Sequence, residues 1–183
     1  MKVTETFLKG CYVIEPSVFE DDRGYFMESY NKYQLERALG KAIDFIQDNE
    51  ARSSYGVIRG LHFQKPPFAQ AKLVRVVEGT VLDVALDLRA DSPTFGKYFK
   101  LELSGANKKQ LFVPKGFAHG YSVFSETALF AYKCDGAYNK ESESGISYDD
   151  KQLNIDWHIP VEDQVISVKD HDQQSFEAFV KQL

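Results

Sequence analysis

The stretch from Thr80 to Leu88 admits few conformations. Leu82, Val84, Leu86 and Leu88 fall on one side of an extended chain, and Val81, Asp83, Ala85 and Asp87 on the other. Alternation with period two predicts a strand with two different environments. Short extended segments bounded by turn residues recur at residues 12–15, 25–30, 42–47, 57–64, 72–77, 81–88, 98–103, 110–113, 120–124, 128–134 and 164–168. Glu78-Gly79-Thr80, between two of them, reads as a tight hairpin turn. Two segments differ. Asn31 as a cap, Gln34 three residues on, Leu35, Ala38 and Leu39 at helical spacing and Gly40 at the stop predict a helix over residues 31–39. Phe176, Phe179, Val180 and Leu183 form an apolar stripe that predicts a terminal helix starting near Asp172.

Many short strands with only peripheral helices imply a mainly β sandwich or barrel. A jelly roll suits a ligand held between sheets, but the strand pattern alone does not choose it over another barrel. The chain has 183 residues, without linker or repeat, so residues 1–183 are expected to form a single domain. A formal charge of −5 argues against a general nucleic-acid binder while leaving room for a local basic pocket. Cys11 and Cys134 form no CxxC pair and read as small buried residues in a reducing cytosol. No apolar run reaches the roughly 20 residues of a membrane span. The first residues lack the apolar core of a signal peptide, which makes the cytoplasm the expected location.

Chemistry concentrates in Arg59-Gly60-Leu61-His62-Phe63-Gln64 and in Gln70-Ala71-Lys72-Leu73-Val74-Arg75. A guanidinium, an imidazole, an amide and an ammonium on otherwise apolar strands are costly unless something satisfies them. One such group could be a structural ion pair; four suggest a site for an anionic, hydrogen-bonding ligand. Arg59 and His62 would face opposite ways on a regular strand, and a bulge at Gly60 could turn both inward. Other segments carry a plain structural alternative each. Tyr132, in Phe130-Ala131-Tyr132-Lys133, could be a core aromatic with its hydroxyl paired. Asp170, after Val168-Lys169, could be an exposed turn residue, and His119, in Pro114-Lys115-Gly116-Phe117-Ala118-His119-Gly120, a structural histidine.

Together these segments, with Asp21-Asp22-Arg23-Gly24-Tyr25-Phe26-Met27-Glu28 and Phe45-Ile46-Gln47-Asp48-Asn49, resemble the dTDP-4-dehydrorhamnose 3,5-epimerases over nearly the whole chain. The resemblance implies a cupin-type double-stranded β-helix, that is, a jelly roll with short peripheral helices. It implies that His62 is the general base, Asp170 its carboxylate partner, Tyr132 the general acid, and Lys72 the group that stabilises charge on the sugar ketone. It further implies that Arg23, Glu28, Gln47, Asn49, Arg59, His119, Tyr138, Glu143 and Lys169 contact the dTDP-sugar, with Tyr138 stacking on thymine and Arg23, Arg59 and Lys169 around the diphosphate. A homodimer is implied, with N-terminal strands paired to the partner's sheet. Cupins that bind metal use a His-x-His pair, whereas His62-Phe63-Gln64 offers Gln, a poor ligand for transition metals. No metal and no cofactor are therefore expected. A C3-only epimerase, a nucleotide-sugar 3,4-ketoisomerase and a non-catalytic nucleotide-sugar module remain the alternatives.

Overall fold

The computed structural model describes residues 1–183. Its strands are β1 (Lys2–Glu5), β2 (Tyr12–Glu15), β3 (Val18–Asp21), β4 (Gly24–Met27), β5 (Gln47–Ser54), β6 (Val57–Gln64), β7 (Lys72–Glu78), β8 (Thr80–Asp87), β9 (Tyr98–Ser104), β10 (Gln110–Val113), β11 (Phe117–Val123), β12 (Thr127–Cys134), β13 (Glu143–Gly145) and β14 (Val165–Ile166). Three short helices, α1 (Lys32–Leu39), α2 (Val168–His171) and α3 (Phe176–Val180), sit at the periphery. One six-stranded sheet runs β1-β2-β10-β7-β12-β5; the other runs β13-β6-β11-β8-β9, with β14 added parallel to β6. The sheets face each other as a cupin-type jelly roll. No helix is long and apolar enough to cross a membrane.

The two environments expected of the Thr80 segment are both present. Val81 and Ala85 pack between the sheets with Val74, Leu111 and Phe130. Leu82, Val84, Leu86 and Leu88 pack outward beneath Trp157, Phe176 and Phe179 of the C-terminal segment. Burial on both faces explains the nearly continuous apolar run, and each fully buried aliphatic contributes about 1.5–3 kcal/mol. A third cluster puts Leu35 and Leu39 of α1 on Ile14, Leu73 and Phe112, covering the outer face of the first sheet.

Helix α1 forms as its ends dictate: the Asn31 side chain accepts from Gln34 N, and Gly40 closes it in the left-handed region at φ 67°. The Gly60 bulge is also present. His119 lies opposite His62 and Tyr121 opposite Arg59, so two steps on β11 match three on β6. Gly60 has φ 137°, and a Cβ there would come within 2.6 Å of Gly120 Cα, so glycine alone fits.

Other expectations need correction. Glu78-Gly79-Thr80 is not a hairpin: β7 and β8 belong to different sheets, and the turn carries the chain across the sandwich. Gly79, at φ 81°, passes so close to the Thr127 carbonyl that a Cβ would collide with it. The strand expected at 42–47 starts only at Gln47 and runs to Ser54, because Ile43 is drawn into the α1 cluster. The strand expected at 25–30 is Gly24–Met27. The terminal helix is two short ones: Ser167 caps α2, and Ser175, not a residue near Asp172, caps α3. Only Val165–Ile166 of the expected 164–168 strand is extended, because Val168 already opens α2.

Candidate active site

Between the sheets lie two adjoining hollows of about 140 Å³ each, and His62, Lys72 and Tyr132 line both. One extends to Gln47, Asn49, Gln64, Cys134, Tyr138 and Glu143. The other extends to Arg59, His119, Tyr121 and Phe130. Roomier depressions of about 180 and 400 Å³ lie elsewhere, but neither contains a histidine. Chemistry, not size, selects the inner hollows.

Strand periodicity places these groups. On β12, Phe130, Tyr132 and Cys134 share the inward face; the register sets Tyr132 beside Asn49 of β5 and Cys134 beside Lys72 of β7. His62 of β6 and His119 of β11 are cross-strand neighbours on the facing sheet. Imidazoles therefore stand on one wall, and a phenol and an ammonium on the other.

His62 Nε2 is held by Asp170 Oδ1. Asp170, 4% exposed, is fixed in turn by Ser167, whose hydroxyl donates to Oδ2 at 2.9 Å. Burial pushes the Asp170 carboxyl up, but the hydrogen bonds from His62 and Ser167 and the nearby positive charges outweigh it, leaving the carboxyl below its ordinary value. An ionised carboxylate on Nε2 leaves Nδ1 as the nitrogen able to take a proton, and it stabilises the imidazolium that results.

Tyr132 is pushed above the ordinary phenol range, first by burial, then by the charges of Cys134 and Tyr121, so it stays protonated at neutral pH. Its hydroxyl has no hydrogen-bond partner in the chain, unlike the core-aromatic alternative, in which it would be paired. Lys72 is pushed below the ordinary lysine value by burial, with Cys134, Asp83 and Glu143 partly restoring it. It has no carboxylate within ion-pair distance, and such an ammonium is free to meet an oxyanion. His119 Nε2 donates to Asp83 Oδ2 at 2.9 Å, deep between the sheets.

At the rim, Lys169 pairs with Glu143 Oε1, and the Tyr138 hydroxyl donates to Glu143 Oε2 at 2.8 Å. The Arg59 Nε donates to Ser53 Oγ at 3.1 Å. Gln47 Nε2 donates to Asn49 Oδ1 at 2.9 Å, so two neutral amides line one wall. His62, Lys72, Tyr132, Asp170, Gln47, Asn49, Arg59, His119, Tyr138, Glu143 and Lys169 thus gather around one space.

Arg23 and Glu28 do not join them. Both belong to the β3–β4 hairpin region, and no residue of that hairpin lines the inner hollows. Arg23 is occupied by Asp21 at 2.5 Å, and Glu28 accepts from Asn31 and Gln34. Two lining residues, Tyr121 and Cys134, carry no motif of their own, nor do Ser53 and the buried Asp83, which hold Arg59 and His119 from behind. Period two from His119 and Tyr132 would have found Tyr121 and Cys134.

Residues 5–178 match the family model described as dTDP-4-dehydrorhamnose 3,5-epimerase. The chain belongs to that family. It is 49% identical over 176 residues to the dTDP-4-dehydrorhamnose 3,5-epimerase of Shigella flexneri, covering 96% of each chain. The crystal structure of dTDP-4-dehydrorhamnose 3,5-epimerase from Elizabethkingia anophelis is 56% identical, with a TM-score of 0.93 and coverage of 97% of both chains. The epimerase of Legionella pneumophila in complex with dTDP-4-keto-L-rhamnose is 45% identical, with a TM-score of 0.92 and coverage of 96% and 93%.

Proposed function

We propose that this chain is a single-domain, cytoplasmic isomerase that converts dTDP-4-dehydro-6-deoxy-D-glucose to dTDP-4-dehydro-6-deoxy-L-mannose, with no metal or redox cofactor. One observation carries this reading: the His62–Asp170 pair faces Tyr132 and Lys72 across the same hollow. The C4 ketone acidifies the hydrogens on C3 and C5. At each carbon in turn His62 removes the proton, Lys72 meets the charge that develops on O4, and Tyr132 returns a proton from the opposite side, inverting the centre; His62 then releases its proton to solvent and Tyr132 takes one up before the second carbon reacts. His119, Gln47 and Asn49 hold sugar and phosphate oxygens. Arg59 and Lys169 face the diphosphate, and Tyr138 offers a flat face to the thymine. Gln64 stands where a metal-binding cupin has its second histidine, and its amide is committed to backbone groups. Turnover should therefore survive exhaustive chelation without added nicotinamide; loss on chelation and recovery with one particular metal would contradict this.

Arg23 and Glu28 enter the same reading through a second protomer. The β3–β4 hairpin pairs only with itself and leaves Phe19, Tyr25 and Phe26 exposed. Such a hairpin suits insertion against a partner, so the working unit is a homodimer in which each hairpin reaches the other protomer's hollow. Mixing inactive Arg23→Ala and His62→Ala chains should restore activity, because the mixed dimer keeps one complete site. Failure to restore any, with mixed dimers verified, would place Arg23 with its own chain's His62.

The alkaline limit of activity follows from Lys72. Burial lowers the Lys72 ammonium from its ordinary value, so its charge is lost at a lower pH than that of an exposed lysine, while burial holds back the loss of the Tyr132 proton. Catalysis should fall as Lys72 deprotonates. In Lys72→Arg the guanidinium stays charged, so whatever activity remains should fall only at higher pH. An alkaline limb that stays where it was would transfer that limb to another group.

A further inference from the structure

Gln64 follows His62 by two positions on β6 and so shares its inward face. Its side chain is 9% exposed, and at the edge of the hollow its amide grips another segment of the chain. The Nε2 donates to Ala137 O at 3.2 Å and to Phe68 O at 3.4 Å, while Oε1 accepts from Asn139 N at 2.8 Å. Ala137 and Asn139 are the two neighbours of Tyr138. One amide thus holds the backbone on both sides of that aromatic residue.

The other ties to Tyr138 return to the same strand. Its hydroxyl donates to Glu143, and Glu143 sits directly opposite Gln64 in the β13–β6 register. The preceding loop is fastened by Gln70 Nε2 to Gly136 O at 2.6 Å and by Asp135 Oδ1, which accepts from Ala71 N at 2.7 Å. Tyr138 itself is 53% exposed and stacks on no other ring of the chain. Its ring is a free flat surface whose edges and backbone are fixed to the strand that carries His62.

We propose that Gln64 is a positioning residue for nucleotide recognition: it sets the Tyr138 ring in register with His62, so that a base stacked on Tyr138 delivers the sugar to the imidazole. This rests on the reading that Tyr138 takes the base. The amide at this position does mechanical work in place of the metal ligation that a histidine would offer there.

The test is a double-mutant cycle read by calorimetry, with dTDP and inorganic pyrophosphate as the probes. Gln64→Ala should weaken dTDP about ten-fold, the order of magnitude of one lost base–aromatic stack, and leave pyrophosphate binding unchanged. In a Tyr138→Ala background the same change should add almost nothing, because Gln64 acts through that ring. Gln64→Glu keeps the shape and the acceptor for Asn139 N but loses the donor to Ala137 O and Phe68 O; it should weaken dTDP selectively too. A Gln64→Ala penalty that persists undiminished beside Tyr138→Ala, or that falls equally on pyrophosphate, would overturn the positioning role while leaving the base-stacking reading intact. Unchanged dTDP affinity in Tyr138→Ala alone would overturn the stacking reading itself, and the proposal with it.

Discussion

Replacing His62 by alanine should abolish solvent exchange at both C3 and C5 of the ketosugar and lower turnover by at least the roughly 10²–10⁴-fold of a lost general base. The other candidate bases in the hollows are engaged elsewhere: His119 with the buried Asp83, and Glu143 with Lys169 and the Tyr138 hydroxyl. Folding and dTDP binding should survive, because His62 is only partly buried and its partner Asp170 keeps the Ser167 hydroxyl. Asp170→Asn should cost less than His62→Ala, since the imidazole remains but loses its counter-charge. Exchange measured by mass on both variants checks the order. Full exchange at either carbon in His62→Ala would assign that proton to another base.

Tyr132→Phe should separate exchange from inversion. The substitution keeps the ring that packs against Phe130 at a centroid distance of 6.1 Å and removes only the hydroxyl. That hydroxyl has no partner to lose, so stability and dTDP affinity should change little. Epimerisation should drop by roughly 10²–10⁴-fold, while His62 can still form the enolate and return a proton to the same side. The product of prolonged incubation in heavy water would then carry deuterium with its configuration retained. Inversion of both centres at the wild-type rate would return Tyr132 to the role of a core aromatic.

What could be read from the sequence follows the physics of each element. Strands β2, β6 and β10 fall where expected because each is a short extended segment bounded by turn residues, and α1 because Asn31 and Gly40 mark its ends. Strand β5 escapes that signal: of its inward positions, Gln47, Asn49 and Ala51 line the hollows and Ser53 accepts from Arg59, so they are mostly polar. At Gly79 the local signal for a tight turn is the same whether the next strand pairs with the last or crosses to the facing sheet. Only the packing of whole sheets decides.

The site divides in the same way. Arg59 and His62 could be brought to one face on paper because Gly60 offered a bulge, and the register bears this out. Asp170 is 108 residues from His62, so no local pattern joins them; only the resemblance did. Arg23 and Glu28 were legible as a motif but not in place: the hairpin region that carries them stands apart from the hollows of its own chain. Gln64 was legible only as a poor metal ligand. Its grip on the Tyr138 segment depends on a loop far along the chain.

Removal of a proton from each of two carbons by one base, and return of a proton to the opposite side of each by one facing acid, are the centre of this account. The most direct test is incubation of dTDP-4-dehydro-6-deoxy-D-glucose with the wild-type protein in heavy water, followed by mass and stereochemical analysis of the product. The account predicts two carbon-bound deuterons, at C3 and C5, each at an inverted centre. A single deuteron at C3 would make the chain a monoepimerase, and a product with no carbon-bound deuterium would contradict proton transfer by His62 and Tyr132 altogether.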